Sequence, residues 1–130
     1  MYQAQSAAAR AAYTRDAVQT ASPAKLLVML YDRLVRDLVA GENALRAGDN
    51  GTASSELVHA QQIIAELRTS LDLTAWDGAR GLNELYGFLY SELVGANLRK
   101  DAARVATCRE IVEPLRDAWR SAALASLQTA

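Results

Sequence analysis

A chain of 130 residues suffices for one domain, and folding at this size buries roughly two-thirds of the surface that the unfolded chain exposes. Fourteen Lys and Arg against fifteen Asp and Glu leave a formal net charge of -1, which withholds the positive field that nucleic acid or an anionic membrane surface requires. A single cysteine, Cys108, excludes an intrachain disulfide, and a single histidine, His59, leaves no Cys/His cluster with metal-ligand spacing.

In chain order, residues 1–20 read as a loosely patterned arm whose first part, Met1 to Ala12, is polar and alanine-rich without a leucine-type apolar region, and no apolar run approaches the ~18 residues needed to span a bilayer. Direct membrane insertion is not expected, and the expected location is the cytoplasm. Ser22 followed by Pro23 then offers a side-chain acceptor at an N-cap and a ring suited to the first helical position. Leu27, Leu30, Leu34, Leu38 and Leu45 recur at helical spacing behind it, so a helix is predicted over about 23–47. The Gly48-Asp49-Asn50-Gly51 cluster supplies its stop and the next N-cap.

Leu57, Ala60, Ile64, Leu67 and Leu71 place one apolar stripe on a second helix, about 52–72, after which Thr74-x-x-Asp77 reads as a capping-box variant. Leu82, Leu85, Leu89, Leu93 and Ala96 mark a third, about 76–98. Asp101 is placed to cap a fourth, about 102–125, carrying Val105, Cys108, Val112, Leu115 and Trp119. Pro114 falls inside that helix, removes one backbone bond to Glu110, and predicts a kink. Short connections make neighbours antiparallel, so the expected fold is all-α: one domain over 1–130, an antiparallel up-and-down four-helix bundle with the N-terminal arm or a short helix packed as a lid.

Catalytic and cofactor chemistry finds little to work with. His59 stands three residues after Glu56, one Glu-x-x-His where di-iron bundles use two, and a solvent-facing side chain is the plainer expectation. A histidine phosphotransfer role for His59 is an alternative, although Ala60, Gln61, Gln62 and Ile63 follow it where those domains carry a lysine and a small residue. Cys108 belongs to an apolar stripe and is expected to pack as a small hydrophobe. Nucleophile elbows and phosphate-cradling glycine loops are missing, so neither catalytic nor metal-ligating residues are assigned, no cofactor is expected, and the chain reads as a binding protein.

The most informative stretch is residues 26–31, Leu-Leu-Val-Met-Leu-Tyr, because six consecutive apolar residues on a helix project in all directions. Val28, Tyr31, Val35 and Val39 extend a second apolar face beside the leucine stripe. A four-helix bundle has difficulty covering both faces. Either the arm, with Tyr13 and Val18, folds over the second face as a lid, or a partner covers it, or two copies pair as a homodimeric structural bundle.

Around this stretch the order Tyr13 through Val18, Thr20-Ala21-Ser22-Pro23, Leu27, and Met29-Leu30-Tyr31-Asp32 resembles the flagellin chaperones of the bacterial flagellar export system. The similarity continues through Ala60-Gln61, Ile63-Ile64, Glu66-Leu67, Ser70-Leu71-Asp72, Leu85-Tyr86, Leu93, Ala96-Asn97, Asp101 and Leu115-Arg116-Asp117-Ala118-Trp119, and so covers essentially the whole chain. The resemblance implies a helical bundle without catalysis that binds the disordered C-terminal segment of flagellin in a hydrophobic groove. It also implies prevention of premature polymerisation, delivery to a component of the flagellar export gate, and an N-terminal segment, matched by Tyr13, that the partner displaces. Gly87 and Phe88 after Leu85-Tyr86, Arg33 after Tyr31-Asp32, and Pro114 depart from the family pattern. The candidate groove and lid residues are Tyr13, Val18, Val28, Leu30, Tyr31, Leu34, Val35, Leu93, Ala96 and Asn97.

Overall fold

Ser22 begins the first helix as its residue type predicts: its hydroxyl accepts from Lys25 N at 3.2 Å, and Pro23 occupies the first turn, where its missing N–H leaves no bond unmade. The computed structural model describes residues 22–129, so Tyr13, Val18 and the arm lie outside the described residues. Helix α1 spans Pro23–Arg46, α2 Asn50–Ser70, α3 Ala79–Arg99 and α4 Ala102–Thr129. Each helix packs against its chain neighbours, and α1 also packs against α4, which closes the four into an all-α bundle.

The connections explain the antiparallel order. Gly48 ends α1 at a φ of 76°, a left-handed conformation that glycine adopts without steric penalty, and Asp49 caps α2 by accepting from Thr52 N at 3.2 Å. Between α3 and α4, Lys100 takes a φ of 54° and Asp101 accepts from Arg104 N at 3.2 Å, as expected of the α4 cap. The cap expected at Thr74-x-x-Asp77 does not form. Thr74 instead donates both its N–H and its hydroxyl to Asp72, and α3 starts later, after Gly78, with no side-chain cap. Helix α4 continues through Pro114, with helical residues on both sides of it.

The core runs the length of the bundle and is made by the predicted stripes: Leu34 and Leu38 from α1, Leu57 and Ile64 from α2, Leu89 and Leu93 from α3, Val105 and Val112 from α4. Residue size is distributed unevenly along it. Toward the end formed by the α1–α2 and α3–α4 turns the buried residues include Gly41, Ala44, Ala53 and Ala96, and a Cβ added at Gly41 would lie 2.8 Å from Leu57 Cδ2, so α1 and α2 come very close there. At the opposite end the facing residues are larger, among them Leu27, Leu30, Leu67, Leu82, Tyr86 and Trp119.

Candidate functional site

That opposite end is where the helices part. The start of α1, the end of α2, the following loop 71–78, the start of α3 and the second half of α4 surround a groove of about 460 Å³. Its walls are Leu26, Leu27 and Leu30 from α1, Leu67 and Leu71 from the α2 end, Leu82 and Tyr86 from α3, Trp119 from α4 and Trp76 from the loop. Both tryptophans of the chain therefore line it. The six-residue apolar run behaves as its helical geometry requires: Tyr31 is buried, Leu27, Val28 and Leu30 are half-buried, and Leu26 and Met29 remain 48% and 53% exposed.

Beneath the groove the Tyr31 hydroxyl meets the Tyr86 hydroxyl at 2.6 Å, a buried bond that crosses the bundle diagonally from α1 to α3. Burial raises the pKa of Tyr31, against smaller lowering effects of the Tyr86 and Trp119 groups, and burial together with the Tyr31 bond raises that of Tyr86. The Trp119 indole N–H lies beside the Tyr31 hydroxyl. It is buried yet completes no hydrogen bond, the one such side-chain atom among the described residues. Asp32, accepting from Arg120 Nη2 at 2.7 Å with Arg116 Nε at 4.0 Å, ties this part of α4 to α1 and so fixes the wall that carries Trp119.

The sequence-predicted groove residues separate into three groups. Leu30 lines the groove, Tyr31 lies under it through its bond to Tyr86, and Val28 is half-buried nearby on α1. Leu34, Leu93 and Ala96 are buried in the core because positions on the inward stripe are covered by the four helices themselves, and Val35, expected on a second, uncovered face with Tyr31, is also buried in the core, so that face is narrower than expected. Asn97 stands at the tight end, where its amide donates to Ser54 Oγ at 3.4 Å and its carbonyl accepts from Lys100 Nζ at 3.1 Å. Leu93 and Ala96 lie roughly two to three turns along α3 from Tyr86 and are therefore not groove walls.

Four residues outside the predicted groove set, Leu26, Leu71, Trp76 and Trp119, make up much of the site. The expected third helix from about 76 takes in Trp76, whereas α3 starts at Ala79 and Trp76 stands in the preceding loop. His59 is not simply solvent-facing: its Nδ1 pairs with the carboxylate of Asp37, a residue only 2% exposed that also accepts from Arg33 Nε at 3.0 Å. The contact joins α2 to α1. Cys108 is buried on α4 as expected, and burial pushes its thiol up to about 12. Among the described residues no group of three or more His, Cys, Asp or Glu is placed to hold a metal ion, and no helix is long and apolar enough to cross a membrane.

The sequence of this all-helical bundle is matched over residues 5–126 by the family model described as flagellar protein FliS. The chain belongs to this family. It is 31% identical to the flagellar secretion chaperone FliS of Bacillus subtilis (strain 168) over 111 residues, covering 85% of this chain and 83% of that one. It is 33% identical to the protein of the same name from Salmonella typhimurium over 107 residues, covering 81% and 79%. The fold is similar to a crystal structure of a flagellar chaperone from bacteria, with a TM-score of 0.72 at 18% identity, covering 87% of this chain and 95% of that one.

Proposed function

We propose that this chain is a cytoplasmic flagellar secretion chaperone. In this reading it receives the disordered C-terminal segment of flagellin in the groove at the open end of the bundle, prevents premature polymerisation, and escorts flagellin to the export gate. The observation that carries the reading is the groove itself, walled by leucines and both tryptophans, in a chain of the FliS family. A disordered partner that folds on binding gives up ~2 to 5 kcal/mol or more to ordering, so it needs a broad apolar surface, and the exposed Leu26 and Met29 extend the groove outward.

Residues 1–20 act as a competing cover. They join α1 next to Pro23, itself a groove wall, and carry Tyr13 and Val18, so a tethered apolar segment is available at high effective concentration. Such a cover shields the empty groove and lowers net affinity, which makes release at the export gate easier without nucleotide energy.

Titration of the full chain with the C-terminal segment of the source organism's flagellin tests the proposal. Tryptophan emission should change on binding, since both indoles border the groove. Leu26→Asp, at a half-exposed position, should leave helicity intact and abolish the change. Unaltered emission and no heat with the wild-type chain would contradict the assignment.

A further inference from the structure

The loop 71–78 is closed by local hydrogen bonds. Asp72 Oδ1 accepts from the Thr74 N–H at 2.9 Å and from its hydroxyl at 2.7 Å, Ala75 N donates to the Asp72 carbonyl at 3.2 Å, and Ala79 N to the Trp76 carbonyl at 3.2 Å. Trp76 leaves this loop with 49% of its surface exposed, beside the groove. The residue under it is Gly78, whose φ of -78° and ψ of -7° any amino acid adopts, so the backbone does not call for glycine there. Space does: a Cβ at Gly78 would fall 1.9 Å from Trp76 Cζ3 and 2.6 Å from two further ring atoms. Gly81, one turn on, would have nothing within 4 Å of an added Cβ and serves as its matched control.

An indole seated on a glycine and left half-exposed at the rim of a binding groove presents a large, rigid face at little conformational cost, the property of an interface anchor. The chemistry of its neighbours is one-sided. Among the described residues lining the groove the only charged groups are the carboxylates of Glu66 and Asp72, and the two hydrogen bonds from Thr74 lower the Asp72 pKa, which keeps it ionised. An exposed indole face and carboxylates lining the same groove each attract a cation. The arm also carries Arg10 and Arg15 on either side of Tyr13, so occupancy of this corner by the arm is a competing outcome of the test.

We infer that Trp76, positioned by Gly78 in a groove whose charged lining residues are Glu66 and Asp72, determines specificity there by receiving a Lys or Arg side chain of the exported partner, adjacent to the apolar residues that fill the groove. The inference rests on the proposed chaperone reading and names the chemistry of the occupant at one corner of that site.

The test uses the full chain and the C-terminal flagellin segment, together with a segment in which each Lys and Arg is replaced by Gln. Gly78→Ala should move the indole, seen as a shifted Trp76 emission in a Trp119→Phe background, and should weaken binding severalfold while helicity and melting stay near wild type. Gly81→Ala should leave both emission and binding unchanged. Trp76→Leu, which keeps an apolar side chain without the aromatic face, should weaken binding about three- to fivefold. Glu66→Gln with Asp72→Asn, which preserves the turn acceptor, should cost a similar factor and flatten the salt dependence, and the Gln-substituted segment should bind wild type no better than the native segment binds this double variant.

Equal affinity of both segments for wild type, or wild-type affinity in the double variant at low salt, would overturn the basic-residue assignment. So would tighter binding of the native segment to the double variant, because the rim would then select the arm's arginines instead of the partner's cation. Unchanged binding in Gly78→Ala and Trp76→Leu would overturn the anchor. If Leu26→Asp abolished binding in that same series, the groove would stand without its proposed anchor, whereas indifference of Leu26→Asp as well would remove the groove reading itself.

Discussion

The two ends of this bundle are built from different materials. At the tight end, turns of a few residues join α1 to α2 and α3 to α4, small residues let the helices converge, and charged pairs tie the helices together. Glu42, almost buried, accepts from Arg109 of α4 at 3.0 Å and from Arg46 at 3.2 Å, while Arg104 spans from α4 to Glu92 of α3 with bonds of 3.0 and 3.2 Å. At the open end a longer loop, leucines and aromatics surround a groove. The open end is also tied, by Tyr31 to Tyr86 and by Asp32 to Arg120, yet it leaves apolar surface uncovered where the tight end does not.

The largest effects should therefore come from core residues toward the tight end. Leu57→Ala, beneath Gly41, should cost about 2 to 5 kcal/mol in urea unfolding, whereas Leu26→Ala at the groove should stay within roughly 0.5 kcal/mol. Equal losses at both positions would erase the contrast. Next in size is the buried carboxylate of Asp37. His59→Ala leaves it with Arg33 alone and should destabilise by about 1 to 3 kcal/mol without changing affinity for the flagellin segment.

Proton titration should separate the ends by sign. Glu92 has its pKa lowered chiefly by the Arg104 hydrogen bond, so its contribution is complete above the ordinary carboxylate range and disappears as pH falls through the lowered folded value. Glu92→Gln should flatten the acid limb of a stability profile. Tyr31 and Tyr86 have raised values, so their contribution is complete below the ordinary tyrosine value near 10 and is lost as pH climbs from there toward the folded values. Tyr31→Phe should flatten the alkaline limb. Exchange of these two phenotypes would contradict the assignment of each cluster.

A small gain is expected at the α3–α4 turn. Lys100 occupies a left-handed conformation that disfavours a side chain, so Lys100→Gly should stabilise the chain by roughly 0.5 to 1 kcal/mol in thermal or urea unfolding.

Sequence periodicity revealed the helices well, because the inward stripes, the Ser22-Pro23 start, the Gly48 stop and the Asp101 cap are all local signals. It revealed the site less well. A stripe marks which face turns inward but not where along the bundle the facing side chains are too large to close, and so Leu34, Leu93 and Ala96 stood beside Leu30 as equal candidates. The missing criterion was residue size compared between helices: Gly41, Ala44, Ala53 and Ala96 cluster toward one end, while Leu27, Leu67, Leu82 and Trp119 cluster toward the other. Trp76 escaped because its role depends on a loop and on the glycine beneath it, not on helical spacing.

The division of the bundle into a tight end and a binding end is decided by amide hydrogen exchange of the full chain with and without the flagellin C-terminal segment. Added protection is expected at the start of α1, the end of α2 with loop 71–78, the start of α3 and the α4 turn around Trp119, with none added near Gly41, Ala53 or Ala96. Protection gained only at the tight end, or nowhere, would contradict that division.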